Sequence, residues 1–296
     1  MNIFDIKNYI KGKNVLHTTH ILSDCDGIAS VFWGMNIFGG DYYIPFPELR
    51  TGEGLLEYLK LIPEKEINFN LYDVYFIYDT SNYEDVEFLN FENKEYIVFD
   101  HHGRVDKEFI ANSVYSYINK SSANVINLYE LSIKNLISLK DKILLSFAIG
   151  LYTDTLMLRT AREKEFFYFS KFIRNYKLED IINIIYTKKI NQYDFLDSLK
   201  DLKFYKINDL LVSVCNFKNV NQYQIFLDGL FDVLGIDISV GILPQGIKIQ
   251  VKKAYVQKIY HRILIPFQKK MNIKKIHGIW LDFFDYKLVL SELRNY

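Results

Sequence analysis

Short apolar runs recur along the first 100 residues of the chain. The runs at Val15–His20, Val74–Tyr78 and Tyr96–Phe99 are rich in β-branched and aromatic residues, which is typical of short buried strands. Helical patterns follow at Ala123–Leu136 and Asp141–Leu151. This order of elements predicts an α/β fold with a mostly parallel sheet flanked by helices.

A second group of elements follows a helical pattern that extends from Leu178 to about Lys203. Leu210–Phe217 is a predicted strand, and Gly235–Lys253 predicts two strands joined by a turn at Pro244–Gly246. These strands predict a smaller α/β domain with a mixed sheet. We therefore expect a catalytic domain at 1–180, a helical linker at 181–204 and a substrate-binding domain at 205–296.

Acidic residues and histidines follow the apolar runs, and Asp154 comes shortly after the run at Phe147–Tyr152. In an open α/β sheet, ligands bind beyond the carboxyl ends of the strands, so these side chains can meet at one edge. Aspartate oxygens and imidazole nitrogens suit Mn²⁺, with Mg²⁺ or Co²⁺ as substitutes. Six such ligands suffice for two ions that share a bridging carboxylate. The six candidates are His20, Asp24, Asp26, Asp79, His101 and Asp154.

Four motifs in this order resemble those of the DHH phosphoesterase family. They are His20-x-x-Ser23-Asp24-x-Asp26-Gly27, the single Asp79, Asp100-His101-His102, and Gly150-x-x-x-Asp154-Thr155-x-x-x-Arg159. The family includes RecJ-type exonucleases, nanoRNases that also hydrolyse pAp, cyclic dinucleotide phosphodiesterases and manganese-dependent inorganic pyrophosphatases. The resemblance implies a two-metal hydrolase of phosphate esters.

The resemblance also implies how the ligands divide between two Mn²⁺ ions. One ion would be held by His20, Asp24 and Asp79. The other would be held by Asp26, Asp79, His101 and Asp154. Asp79 would then bridge the two ions.

Further residues are candidates for binding the substrate. By the resemblance, His102 and Arg159 contact the phosphate, and with Asp79 they form the predicted catalytic set. Arg104 is added because it follows the third motif. In the C-terminal domain, which more faintly resembles the DHH-associated domain, Lys252 and His277 align with basic substrate contacts. A solvated strand face for Lys252 and a structural role for His277 are the alternatives.

Neighbouring residues have simpler interpretations. We expect His17 to be a structural histidine and Cys25 to be a small buried hydrophobic residue. Asp100 is expected to orient an adjacent histidine rather than to bind metal. Ser121 and Ser122 are expected to cap the helix that follows them.

Composition agrees with a soluble enzyme. The chain has 36 Lys and Arg against 36 Asp and Glu, and this zero net charge counts against binding of long nucleic acid chiefly through phosphate neutralisation. No apolar run approaches the roughly 18 residues of a membrane span, so we expect a cytoplasmic protein without a membrane partner. Two cysteines give no disulfide framework.

The predicted function is therefore Mn²⁺-dependent hydrolysis of short single-stranded RNA or DNA, with pAp as a second candidate substrate. Three alternatives stay open: a RecJ-like single-strand exonuclease in DNA repair, an inorganic pyrophosphatase, and a non-catalytic binding subunit associated with replication. The basic Ser-Arg-Lys-Lys signature of the pyrophosphatase relatives is absent from the sequence. A homodimer is compatible with the sequence.

Overall fold

A computed structural model describes residues 1–45, 50–63, 66–187, 191–270, 279–281 and 285–294. The contacts divide the chain into two compact units, Met1–Lys188 and Lys189–Tyr296. Both units contain a sheet packed with helices, which confirms the predicted α/β fold. Within the described ranges, every helix is too short or too polar to span a bilayer.

The first unit is built on a five-stranded sheet in which all neighbouring strands are parallel. Its strand order is β2-β1-β3-β4-β5. The strands are β1 (Val15–Thr19), β2 (Asp41–Tyr43), β3 (Val74–Tyr78), β4 (Glu95–Asp100) and β5 (Tyr115–Ile118).

The central strands of this sheet are buried on both faces. In β3, Phe76 and Tyr78 pack into the core that contains Trp33, whereas Tyr75 and Ile77 pack into a separate core on the opposite face. Successive side chains of a strand point to opposite faces, so a strand covered on both sides must be apolar throughout. This requirement explains the uninterrupted apolar runs in the sequence.

Eight helices of the first unit have described bounds. They are α1 (Ile3–Tyr9), α2 (Cys25–Phe38), α3 (Arg50–Leu59), α4 (Lys107–Ala111), α5 (Asn124–Lys134), α6 (Asp141–Asp154), α7 (Glu163–Phe172) and α8 (Leu178–Ile185). Helix α2 packs on β1 and against α5 and α6. Helix α8, which lies at the start of the predicted linker, packs against α3 and α6 within the first unit.

The strand order creates a switch point between β1 and β3. From β1 the chain moves outward to β2 on one side and then returns to β3 on the other side. The connections therefore diverge above the carboxyl ends of β1 and β3 and leave a crevice there. Open α/β sheets with this strand order bind ligands at this position.

The second unit contains a mixed five-stranded sheet with the order β10-β9-β8-β7-β6. Strands β7 and β8 are parallel, and the other pairs are antiparallel. The strands are β6 (Lys203–Ile207), β7 (Leu210–Asn216), β8 (Ile238–Leu243), β9 (Gly246–Val251) and β10 (Ile279–Leu281). The helices are α9 (Gln192–Lys200), α10 (Val220–Phe226), α11 (Ile265–Lys270) and α12 (Tyr286–Leu293), with π-helical segments at Leu227–Phe231 and Val256–Leu264.

Candidate metal centre

The six candidate metal ligands lie together at the carboxyl edge of the first sheet. They form two groups, and within each group the ligand atoms lie within 4.8 Å of one another. One group is His20, Asp24 and Asp79, and the other is Asp26, His101 and Asp154. His102 lies beside these groups, within the same distance of Asp79 and His101.

Strand ends and helix ends both contribute to the cluster. His20, Asp79 and His101 each follow the last residue of a strand. Asp24 caps the N-terminus of α2 by accepting a hydrogen bond from the Gly27 N–H at 3.0 Å. Asp154 reaches the cluster from the C-terminus of α6, because the apolar run before it is helical.

The two carboxylate oxygens of Asp79 face different histidines. Oδ2 lies 3.5 Å from Nε2 of His20, and Oδ1 lies 3.1 Å from Nε2 of His101. The remaining carboxylates surround the same two nitrogens. Asp24 Oδ2 lies 3.7 Å from His20 Nε2, and Asp26 Oδ2 and Asp154 Oδ2 lie 3.8 and 3.6 Å from His101 Nε2. One carboxylate oxygen of Asp79 therefore lies beside the histidine of each group.

These separations fit ligands arranged around divalent ions. Two ligands that are each about 2.1 Å from one ion lie roughly 3.0 to 3.4 Å apart in octahedral or tetrahedral geometry. Oδ1 of Asp79 is buried and accepts no hydrogen bond of good geometry from the described residues. Leaving such an oxygen unsatisfied costs about 1–3 kcal/mol or more. A cation would satisfy it, so the donor set fits a metal centre.

The charges of the cluster also favour bound cations. Burial and repulsion from Asp79 raise the pKa of Asp26 to about 8, and burial and repulsion from Asp26 raise the pKa of Asp154 well above its usual range. Burial alone would lower the pKa of His101, but its pairing with Asp79 outweighs this and raises the pKa to about 10. The cluster without metal therefore retains protons that metal ions would displace.

Asp79 has an unusual backbone conformation. Its φ is +62°, in the left-handed region, and its N–H donates a 2.8 Å hydrogen bond to the Phe99 carbonyl. Only glycine enters this region freely, although Asp and Asn tolerate it better than other residues. Such conformations persist where the surrounding structure enforces them, and they are frequent at functional sites. Here the conformation accompanies a carboxylate placed between two histidines.

Asp26 caps a helix that begins 98 residues later in the chain. Its Oδ2 accepts a hydrogen bond from the Asn124 N–H at 2.5 Å, and its Oδ1 accepts one from the Val125 N–H at 3.0 Å. The N-terminus of α5 thus points its partial positive charge at this carboxylate. The interaction fixes Asp26 close to His101.

The prediction that Ser121 and Ser122 cap α5 is wrong. The capping position is Ala123, and its side chain makes no cap. The hydroxyl of Ser121 donates to the Ala123 carbonyl at 2.7 Å, while the hydroxyl of Ser122 donates to the buried carboxylate of Glu165. The Asp26 carboxylate takes the capping role because it satisfies two helix N–H groups at once.

In each histidine of the third motif, Nδ1 contacts a protein oxygen that orients the ring. Nδ1 of His101 contacts the Ser121 carbonyl at 3.0 Å, so this nitrogen carries a proton and Nε2 is left for a metal. Nδ1 of the half-exposed His102 contacts Oδ1 of the buried Asp100 at 2.7 Å, and this contact raises the pKa of His102. Asp100 therefore has the orienting position that the sequence predicts.

Two glycines of the motifs permit close packing around the cluster. A Cβ on Gly27 would lie 2.2 Å from Oγ1 of Thr19, so only glycine lets the N-terminus of α2 approach the end of β1. A Cβ on Gly150 would lie 3.1 Å from the Cα of Asp26, where α6 packs on α2. Glycine at these two positions therefore lets β1, α2 and α6 pack closely, and the candidate ligands of both groups lie at the ends of these elements.

Comparisons with known proteins address the fold. No family model matches the chain, and no curated protein matches it. The chain is similar to the crystal structure of an exopolyphosphatase-related protein from Bacteroides fragilis, with a TM-score of 0.64 and 12% identity over 99% of this chain and 96% of that one. It is also similar to RecJ in complex with Mn²⁺ from Thermus thermophilus, with a TM-score of 0.55 and 11% identity. The second similarity covers 99% of this chain and 53% of RecJ.

The chain therefore has the fold of these two proteins. In this fold, Arg104 and Arg159 are exposed residues; Arg104 directly follows the third motif, and Arg159 is the last residue of the fourth. Arg159 follows a turn in which Leu156, Met157 and Leu158 all have positive φ, between 51° and 66°. At 11–12% identity the two similar structures show the fold alone, so the roles of both arginines stay predictions.

The two residues predicted to bind substrate through the C-terminal domain, Lys252 and His277, belong to the second unit. Lys252 is half-buried, directly follows β9 and donates its backbone N–H to the Asp237 carbonyl at 2.9 Å. His277 lies outside the described residues. Their contacts with substrate stay predictions.

His17 is a buried residue of the first unit, outside the two ligand groups. Nδ1 contacts the Tyr78 hydroxyl at 2.9 Å, and Nε2 contacts the Gly39 carbonyl at 2.6 Å. Both ring nitrogens thus have protein partners, as expected of a structural histidine. Burial lowers the pKa of His17 to about 4, although the Gly39 carbonyl opposes this shift.

Acidification should weaken folding through His17. Its pKa is lower in the folded protein than the usual 6.5, so the unfolded chain binds more protons below pH 6.5 and stability falls as the pH drops towards 4. The expected loss is about 2 kcal/mol between pH 8 and pH 5. The free energy of unfolding in urea should be measured for metal-free wild-type and His17→Gln protein at both pH values. The wild type should lose about 2 kcal/mol more than the variant between pH 8 and pH 5. Equal losses in the two proteins would contradict it.

Proposed function

We propose that this protein is a phosphoesterase that hydrolyses short single-stranded oligonucleotides with two divalent metal ions. The observation that carries this proposal is the division of the Asp79 carboxylate between the His20 group and the His101 group. A carboxylate shared in this way suits two ions about 3.5–4 Å apart, the spacing of two-metal sites that cleave phosphate esters.

Manganese is the proposed metal because carboxylate and imidazole donors without thiolate suit it. Support also comes from the RecJ structure of similar fold, which contains Mn²⁺. When bound, such ions would activate water and stabilise charge on the transferring phosphate. One ion would be held by the group around His20, and the other by the group around His101.

The chain's own residues would orient the substrate. His102 is half-exposed beside the metal ligands, and Asp100 occupies its Nδ1, so Nε2 remains available to donate a proton to a phosphate oxygen. A raised pKa keeps His102 protonated to higher pH, which suits this role. Arg159 would add a planar guanidinium suited to a phosphate.

Short oligonucleotides are the proposed substrates for reasons of size and charge. The chain carries zero net charge, so a long strand would gain little from general attraction to the protein. RNA of a few nucleotides is favoured, and pAp is the second candidate. One solved structure of similar fold is that of an exopolyphosphatase-related protein, a name that refers to the hydrolysis of linked phosphate groups.

The direct test is hydrolysis of end-labelled RNA and single-stranded DNA from two to about 24 nucleotides, with pAp and pyrophosphate in parallel, in Mn²⁺ and in chelator. We expect fastest loss of the shortest oligomers, in Mn²⁺ only. A preference for long strands would indicate an exonuclease, and cleavage of pyrophosphate alone would indicate a pyrophosphatase. Metal binding without turnover of any substrate would support a binding subunit instead.

Replacement of Asp100 should show whether this residue orients His102 or binds metal. In Asp100→Asn, the contact with His102 Nδ1 loses its charge, and the histidine loses both its fixed orientation and its raised pKa. We expect kcat to fall roughly 10- to 100-fold, as for other residues that orient a functional histidine. The amount of bound Mn²⁺, measured by elemental analysis, should stay at the wild-type level. Loss of metal together with activity would place Asp100 in the metal centre.

A further inference from the structure

Lys120 lies against the segment that carries the two histidines of the third motif. The chain leaves β5 beside this segment, where the Asn119 N–H donates to the Asp100 carbonyl at 3.2 Å and the Ser121 carbonyl contacts His101. Lys120 is the residue between these two contacts. A Cβ placed on Gly103 would lie 3.9 Å from Cε of Lys120, which is ordinary van der Waals contact.

The ammonium group of Lys120 is available for an anion. Lys120 is exposed, and among the described residues no acidic side chain forms an ion pair with it. Its Cδ and Cε atoms lie close to Gly103, within about 4 Å of the position that a Cβ would take. The exposed Arg104 follows Gly103 directly, and the half-exposed His102 precedes it. Three basic side chains therefore border the same short loop.

We infer that Lys120 binds a second phosphate of the substrate, next to the phosphate that is hydrolysed. This inference rests on the proposed function and refines its substrate class. His102 lies beside the candidate metal ligands and would contact the reacting phosphate, whereas Lys120 lies beside Gly103, the next residue of the loop. The site would thus prefer substrates with at least two neighbouring phosphate groups, such as a 5′-phosphorylated dinucleotide, over esters of a single phosphate.

The test compares two substrates on the metal-loaded enzyme. One is a 5′-phosphorylated dinucleotide, and the other is the p-nitrophenyl ester of thymidine 5′-monophosphate, which has no second phosphate. In Lys120→Gln, we expect KM for the dinucleotide to rise about tenfold with kcat preserved, since one partly screened charge contact is lost. Both constants for the p-nitrophenyl ester should remain unchanged. Lys120→Arg should retain most of the affinity for the dinucleotide.

Lys134→Gln is the matched control. Lys134 is an exposed lysine at the C-terminal end of α5, about 15 Å along the helix from the end that Asp26 caps. This variant should behave like the wild type on both substrates. Equal effects of Lys120→Gln on the two substrates, or no effect on either, would overturn the inference.

Calorimetric binding of the dinucleotide separates this inference from the proposed function. If the wild type hydrolyses neither substrate, the proposed function fails. Weaker dinucleotide binding by Lys120→Gln than by Lys134→Gln would then still support the phosphate contact, and equal binding by the two variants would reject it as well.

Discussion

Asp79→Asn is expected to lower kcat/KM for a short oligonucleotide by at least about three orders of magnitude, because both groups of ligands lose a shared anionic donor. Asparagine keeps the shape of the side chain and tolerates the left-handed φ of +62°. Alanine would add backbone strain at the same position. The amide variant therefore tests the charge of the bridge with the least disturbance of the fold.

The measurements for this variant are turnover and the Mn²⁺ content of the purified protein. We expect two ions per chain in the wild type and a loss of both from Asp79→Asn. Asp141→Asn is the control, because Asp141 is an exposed acid in the first turn of α6, at the helix end opposite to Asp154. Near-normal turnover by a folded Asp79→Asn protein would reject the two-metal mechanism.

Mn²⁺ is expected to raise the melting temperature of the wild type by about 10–20 °C when each ion is present at about 100 times its Kd. Each ion present at about 100 times its Kd adds about 2.7 kcal/mol, and each kcal/mol shifts the melting temperature of a unit of this size by roughly 2–4 °C. The effect should be large because the ions replace repulsion among the closely spaced carboxylates of Asp26, Asp79 and Asp154 with attraction.

The rise in melting temperature caused by Mn²⁺ should also be larger at pH 8 than at pH 6. In the metal-free protein the pKa of Asp26 is raised to about 8. Protonated Asp26 therefore stabilises the folded state at low pH, and this stabilisation is lost as the pH rises towards 8. Metal binding must displace this proton and the proton of His101, and displacement becomes easier at higher pH. Thermal unfolding with Mn²⁺ and with chelator at both pH values measures the difference. An equal shift in Asp79→Asn would show that the ions bind elsewhere.

Much of the fold could be predicted from the sequence because burial leaves a local pattern. Strands covered on both faces require continuous apolar runs, and β3 and β4 show such runs. The two strands predicted around Pro244–Gly246 are β8 and β9, with the inward and outward alternation of Ile247–Val251 expected of strands. Helix boundaries were less certain, since capping depends on partners that a local pattern does not contain.

The sequence also indicated which side chains would come together, through motifs that each combine acids or histidines with glycines. What it could not show is how these side chains are held. The Ser121 and Ser122 caps were predicted from local preference, yet the cap of α5 is Asp26, which lies 98 residues away from Asn124. Glu165, which receives the Ser122 hydroxyl, carries no signal in the sequence beyond its place in the first turn of α7.

The sequence by itself determined the α/β alternation, the burial of the central strands and the set of candidate ligand residues, because each depends on residue type and short-range spacing. Only the tertiary structure decided that Asp79 turns through a left-handed conformation and divides its two oxygens between His20 and His101. It also decided that the C-terminus of α6 brings Asp154 to within 3.6 Å of His101. These features depend on the packing of β1, β3, β4 and α6, which are far apart in the chain, and long-range packing leaves no periodic trace in the sequence.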